Sequence, residues 1–401
     1  MHDALSTTAD DRDLARIAEK VRADRRLDLA DGIALFACRD VHALGRLADG
    51  VRRRRHGDGA YYNINCHINY TNVCTLQCGV CGYARREGQD GAYELAPAEV
   101  ARRAAQAAAA GATEIHMTGG LHPCWTLDNY EDMVRQVRQA APRAHIKAFT
   151  AVEIDHIATM SGVSAQVVLQ RLQAAGLDSL PGGGAEIFDP QVRAALFPLK
   201  MPAQRWLEVH REAHHLGMRS NATMLYGHIE SPKHRVEHLL ALRDLQDQTG
   251  GFQALVPLAF VPVPRAGASD DADPGKALPG LLAPGLSGGA LSGGALSGEA
   301  LSGEALENLQ GPTAIDDLRT VAVSRLILDN VEHIKTFWIM HGLKLSQLAL
   351  HWGADDIDGT VTQYQIVESK DHSAVSAGSL RQLITEAGFT PVERDSLYRP
   401  I

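Results

Sequence analysis

Residues 69–85 read NYTNVCTLQCGVCGYAR, which sets Cys74, Cys78 and Cys81 in a C-x3-C-x2-C spacing just after the β-rich run YYNIN at 61–65. Three clustered thiolates are one ligand short of filling a tetrahedral or cubane site. Thiolates of this kind suit iron–sulfur clusters or zinc. Zinc wants four ligands, commonly as paired C-x2-C motifs. His67 could add a fourth, but there is no second pair, and Cys38, Cys66 and Cys124 are scattered along the chain. The stretch therefore reads first as the cradle of a [4Fe-4S] cluster with one iron left open. A zinc site and three unrelated thiols are the rival readings.

Composition narrows the setting. A chain of 401 residues, 45% hydrophobic and 22% charged, suffices for one large barrel. The formal charge of −9 disfavours nucleic acid as a partner. The basic run Arg52 to Arg55 closes a helical pattern, where cations suit the helix end, and reads as a solvated terminus. The N-terminus lacks an apolar signal core, and no run is long enough to span a bilayer. Clustered thiols point to a reducing, cytoplasmic setting.

Working outward, residues 11–55 read as amphipathic helices, so 1–59 is expected to form an N-terminal helical segment. Beyond it, β-rich runs are predicted at 61–65, 114–118, 146–150, 179–180, 220–224, 252–260, 333–338 and 356–359, with helices between most of them. Strands alternating with helices imply parallel βαβ units, and about eight such units close a (β/α)8 barrel of the α/β class. Chemistry is then expected at the C-terminal strand ends. The body is read as 60–401. Within it, about 264–311 is low in complexity, with the pentads LSGGA LSGGA LSGEA LSGEA, and reads as a mobile insertion.

The cysteine spacing after a first strand resembles the radical S-adenosylmethionine (SAM) superfamily, in which the open iron binds the amino and carboxylate groups of SAM. That superfamily usually has an aromatic residue just before the third cysteine. Val80 stands there, and Tyr83 is expected to cover the cluster instead. The resemblance gives other strand ends a meaning. Gly119-Gly120 closes EIHMTGG, where backbone meets the methionine amino group of SAM; a tight turn is the plain alternative. Glu153 in KAFTAVEIDH can accept hydrogen bonds from the ribose or the SAM ammonium, or cap the next helix. PGGGAEIF places three glycines where backbone bends round a ligand, and ends on Glu186. SNATMLYGHIE offers Ser220, Asn221, Thr223 and Tyr226 to the barrel mouth, with His228 at the turn. Asp355, Asp356 and Asp358 form an acidic trio that reads as a turn rather than a metal cluster.

Taken together, NYTNVC, GGLHP, IKAFTAVEI, GLDSLPGGGAEIF, RSNATMLYGHIE, AVSRLILDN, GADDIDGT and VERDSLY resemble the aminofutalosine synthase family of menaquinone biosynthesis, from about residue 60 to the end without the insertion. Dehypoxanthine futalosine cyclases and FO synthases share the frame. The TAVE, SNATMLYGHIE and ADDIDGT versions look like the synthase. The resemblance implies one-electron cleavage of SAM to methionine and a 5′-deoxyadenosyl radical. The radical adds to the vinyl carbon of 3-[(1-carboxyvinyl)oxy]benzoate, and rearrangement and decarboxylation give 6-amino-6-deoxyfutalosine. SAM is thus a co-substrate, and a flavodoxin or ferredoxin is the implied electron donor. The substrate carries two carboxylates. His122, Asn221, Thr223, His228, Arg325 and Lys335 are the candidate donors to it, with a structural histidine at a helix start the equal alternative for His228 and a structural salt-bridge partner the alternative for Arg325. A cyclase-like radical enzyme and a non-catalytic metal-binding protein are the alternatives.

Overall fold

The computed structural model describes residues 9–76, 78, 80–262, 301, 308–367 and 375–401. Most of the expected insertion at 264–311 lies outside the described residues. Among the described residues there are ten strands: β1 (Gly59–Asn63), β2 (Asn65–Asn69), β3 (Glu114–Thr118), β4 (His145–Ala148), β5 (Ser179–Leu180), β6 (Arg219–Tyr226), β7 (Phe252–Ala259), β8 (His333–Ile334), β9 (Asp356–Gly359) and β10 (Thr390–Glu393). Strands β2 to β8 form one parallel sheet in sequence order. Neighbours in sequence are neighbours in space, as right-handed βα crossovers dictate. The chain after β8 completes the wall. Parallel bridges join Lys335 to Asp356 and Cys66 to Thr362, so the 356–362 stretch lies between β8 and β2. The Thr336 amide donates to Asp356 O and the His67 amide to Thr362 O, each at 2.8 Å. This is the expected α/β barrel of the (β/α)8 type with helices ahead of it.

Alternation along the strands separates two layers. Ile68, Ile115 and Met117 point into the apolar layer under the helices. His67, Glu114, His116 and Thr118 point into the barrel interior, where they line a cavity.

Two strands differ from expectation. The run at 61–65 is split. β1 leaves the barrel and pairs with β9 and β10 in a separate three-stranded parallel sheet, and only β2 joins the wall. Asn65 marks the change, its side-chain oxygen accepting the Val361 amide at 2.6 Å. The stave expected at 333–338 shortens to His333–Ile334 because the helix Trp338–His341 begins early, tied by Trp338 Nε1 donating to Gly359 O at 2.8 Å.

The helices Ala9–Arg22, Leu29–Ala37 and Val41–His56 precede the barrel. Leu29–Ala37 presses against Pro232–Thr249 so closely that a Cβ on Gly32 would sit 2.5 Å from Val236. The basic run is solvated only in part: Arg53 and Arg54 are exposed, but Arg52 and Arg55 turn inward. Arg52 is fully buried, donating to Gly57 O and Gly59 O and lying 4.1 Å from the Phe389 ring centroid. Arg55 donates to Val331 O and Asp329 O. Guanidinium groups satisfy carbonyls that secondary structure leaves unpaired.

Candidate active site at the barrel mouth

The cysteine segment leaves the C-terminal end of β2 and is pinned at its base. The Cys74 amide donates to Arg85 O at 2.9 Å and the Arg85 amide to Asn72 O at 2.8 Å. Within the loop the Cys81 amide turns back to Cys78 O at 3.0 Å. All three cysteines line a cavity of about 930 Å³ at the barrel mouth. Burial pushes the Cys74 and Cys78 thiols up, and Lys200 partly offsets this at Cys78.

Neighbouring strand ends hold this loop in place. The Gly120 amide donates to Thr71 O at 2.8 Å. A Cβ on Gly120 would lie 2.2 Å from Val73 O and 3.0 Å from the Cys74 Cβ. The glycine pair is thus a packing surface for the cysteine loop as well as a cavity wall. Glu153 accepts the Gly119 amide at 3.0 Å, the Tyr70 hydroxyl at 2.5 Å and, on its other oxygen, the Thr150 amide at 2.8 Å. It is both the helix cap and a cavity-lining strut. Burial raises its carboxyl above the usual range. Tyr83 also lines the cavity, its hydroxyl donating to Thr71 O at 2.9 Å and meeting Tyr93 Oη at 2.7 Å.

The PGGG segment forms the next part of the rim. Gly184 sits at φ +84°, a conformation that L side chains rarely adopt, and a Cβ there would strike Val152 at 2.4 Å. Glu186 follows with φ +52° and pairs with Lys200 inside the cavity. Burial opposes its charge, but Lys200 holds its carboxyl below the usual range. On β6, Asn221 and Thr223 line the cavity, Thr223 Oγ1 donating to Gly182 O at 2.6 Å. Ser220 instead meets His210 and His214, and Tyr226 donates to Asp317.

Three expected substrate contacts are used elsewhere and are not among the lining residues. His122 bonds Glu94 at 2.8 Å and stacks on Trp125. His228 accepts the Ile229 amide at 2.8 Å and has its other ring nitrogen 3.2 Å from Leu225 O. Arg325 is fully buried between Gly353 O, Glu332 O and Asp355. The acidic trio is divided among cations rather than gathered: Asp355 on Arg325, Asp356 on Arg394 and Asp358 on Lys335. His56, His333 and Asp355 bring three ligand atoms within 4.8 Å. The Arg325 guanidinium against the same carboxylate disfavours a cation there.

The cavity also exposes residues that motif reading passed over. Glu114 and His116 on β3 and Lys147 on β4 reach it, beside His67, Lys335 and Asp358. Polar residues inside the short runs EIHMT and HIKA were the available signal. Phe260, Phe337, Met340, Leu225 and Leu258 give one wall an apolar face.

The donor set fits a three-cysteine iron–sulfur cluster. The thiols share one chamber, and the glycine beside them admits no side chain. Comparisons with known proteins agree. Residues 68–242 match the radical SAM superfamily, and residues 303–401 match the CofH/MqnC C-terminal region. The chain is 41% identical to the aminodeoxyfutalosine synthase of Streptomyces coelicolor over 95% of its own length and 92% of that protein's. Identity to the Thermus thermophilus aminodeoxyfutalosine synthase is 39%, covering 97% and 96%. Methylornithine synthase shares the fold at a TM-score of 0.66 and 16% identity, covering 94% of this chain and 97% of that one. The chain is therefore an enzyme of the aminodeoxyfutalosine synthase family within the radical SAM superfamily, using a [4Fe-4S] cluster and SAM.

Proposed function

We propose that this enzyme joins the 5′-deoxyadenosyl group of SAM to 3-[(1-carboxyvinyl)oxy]benzoate, forming 6-amino-6-deoxyfutalosine and methionine with loss of the vinyl carboxylate. The observation that carries the reading is one chamber with three faces: cysteines at the rim, an apolar wall and a floor of two lysine–carboxylate pairs. An anionic aryl ether with a reactive vinyl carbon matches that order. The family relationship supports it.

Cys74, Cys78 and Cys81 would hold the cluster. When bound, the cluster supplies the electron that cleaves SAM to the 5′-deoxyadenosyl radical. Gly119, Gly120, Glu153 and Glu186 would shape the SAM pocket, with Tyr83 closing its outer side. Asn221 and Thr223 would orient the substrate from β6. The chamber walls would hold the vinyl carbon against the radical carbon, and such positioning supplies much of the rate. A flavodoxin or ferredoxin would deliver the electron in the cytoplasm. Among the described residues, no helix is long and apolar enough to cross a membrane.

The test is anaerobic reconstitution with iron and sulfide, then dithionite, SAM and the enolpyruvyl benzoate. A product with the mass of aminodeoxyfutalosine, lost in Cys78→Ala, is expected. Intact SAM beside a fully loaded cluster would overturn the reading.

A further inference from the structure

The cavity floor holds two buried ion pairs. Lys147 donates to Glu114 at 2.7 Å and Lys335 to Asp358 at 3.0 Å. Two imidazoles lie between them round the barrel wall. His67 and His116 are register partners on β2 and β3, and His116 is in turn the partner of Lys147 on β4. Their rings lie 4.2 Å apart. On the other side, the 356–362 stretch carries Asp358 between β2 and β8, next to Lys335.

This floor is not internally satisfied. An ammonium carries three N–H donors. Lys147 and Lys335 each use one on a protein oxygen, and neither makes another hydrogen bond among the described residues. The His67 Nε2 is buried with no hydrogen-bond partner among the described residues. The His116 ring makes no hydrogen bond to the described residues, although it faces the cavity. Buried polar groups are rarely left this way without a ligand or water to meet them. A purely structural pair of salt bridges would not need its spare donors to open onto the one chamber that holds the cysteines.

We propose that this floor is a carboxylate-binding site, in which Lys147 and Lys335, with the His67–His116 pair between them, take the ring carboxylate of an aromatic substrate. The apolar wall of Phe337, Met340 and Leu258 rises beside it and suits the ring. The vinyl ether at the opposite end of the molecule then points toward the cysteine rim. The inference rests on the proposed function and names what selects its substrate. A hydrogen bond from a buried ammonium to a carboxylate changes affinity by about tenfold or more.

The experiment is calorimetric titration of the anaerobic holoenzyme without SAM, so that nothing turns over. The probes are 3-[(1-carboxyvinyl)oxy]benzoate and 2-phenoxyacrylate, which lacks only the ring carboxylate. Wild type is expected to prefer the benzoate by about tenfold or more. In Lys335→Gln/Asp358→Asn, which removes both charges of one pair, that preference should fall to within about threefold, with phenoxyacrylate binding kept. Lys147→Gln/Glu114→Gln provides an independent second variant. A preference that survives in both variants overturns the site and leaves the proposed function standing. Loss of both ligands in both variants also overturns it, since the pairs would then be structural. Failure of wild type to bind the benzoate at all, with the same preparation cleaving SAM but leaving the benzoate unconsumed once SAM and dithionite are added, removes the proposed function itself.

Discussion

Tyr70 donates its hydroxyl to Glu153 at 2.5 Å, and the same carboxylate oxygen accepts the Gly119 amide at 3.0 Å. Tyr70 follows β2, Gly119 follows β3, and Glu153 follows β4. One buried side chain therefore ties three successive strand ends together beneath the cysteine loop. Glu153→Gln puts an amide N–H where the Thr150 amide donates, leaving a buried donor unpaired. A loss of about 1–3 kcal/mol is expected. Melting temperature and iron per chain should fall together. Normal iron content in a protein that melts like wild type would show that the strut does not support the loop.

Gly120 separates packing from conformational freedom. Gly120→Ala places a methyl against the Val73 carbonyl, where the 2.2 Å spacing forbids it. The cysteine loop must shift, so iron and sulfide content after reconstitution should drop by at least about half, in line with the sensitivity of sites to small misplacements. Gly50→Ala is the opposite control. Gly50 lies inside the helix Val41–His56 with nothing within 4 Å of a new Cβ. Stability should rise by about 0.5–1 kcal/mol, with normal cluster content.

Arg325 is a structural cation, paired with Asp355 where both side chains are fully buried. Burial draws its guanidinium down to about 10. Arg325→Met strands the Asp355 charge, and breaking such a pair costs about 3–5 kcal/mol. At temperatures where the variant stays folded, KM for the substrate should be unchanged. A large rise in KM with little loss of stability would return Arg325 to the substrate pocket.

Buried neutral histidines set the acid limb of stability. Burial drives His238 down to about 3 and His67 to about 4. Between the ordinary histidine value near 6.5 and these folded values, the unfolded chain binds protons that the native chain refuses. Stability therefore falls as pH drops below about 6.5. His238→Gln should flatten the slope between about pH 6 and pH 5 by about 1 kcal/mol per unit. Denaturant titrations at the two pH values measure this directly. An unchanged slope would mean that His238 is protonated in the native protein.

The barrel was legible because helix and strand periods differ and alternate along the chain. The cysteine loop was legible because its ligands are contiguous. What stayed hidden depended on partners distant in sequence. Nothing in YYNIN shows that Tyr61 pairs with Asp356 and Val392 while Cys66 pairs with Ile115. His122, His228 and Arg325 sit in motif-like stretches, yet Glu94, the Leu225 carbonyl with the Ile229 amide, and Asp355 already occupy them. Conversely, His116 and Lys147 stand inside the stretches EIHMTGG and KAFTAVEIDH, whose glycines and Glu153 drew the reading. Only register places them on the cavity floor.

The most direct test follows the adenosyl group. SAM labelled with carbon-13 throughout its adenosine should, with enolpyruvyl benzoate and the reduced holoenzyme, give aminodeoxyfutalosine heavier by the full adenosine label, with little free 5′-deoxyadenosine. Label released as 5′-deoxyadenosine, with the benzoate unconsumed, would contradict radical addition.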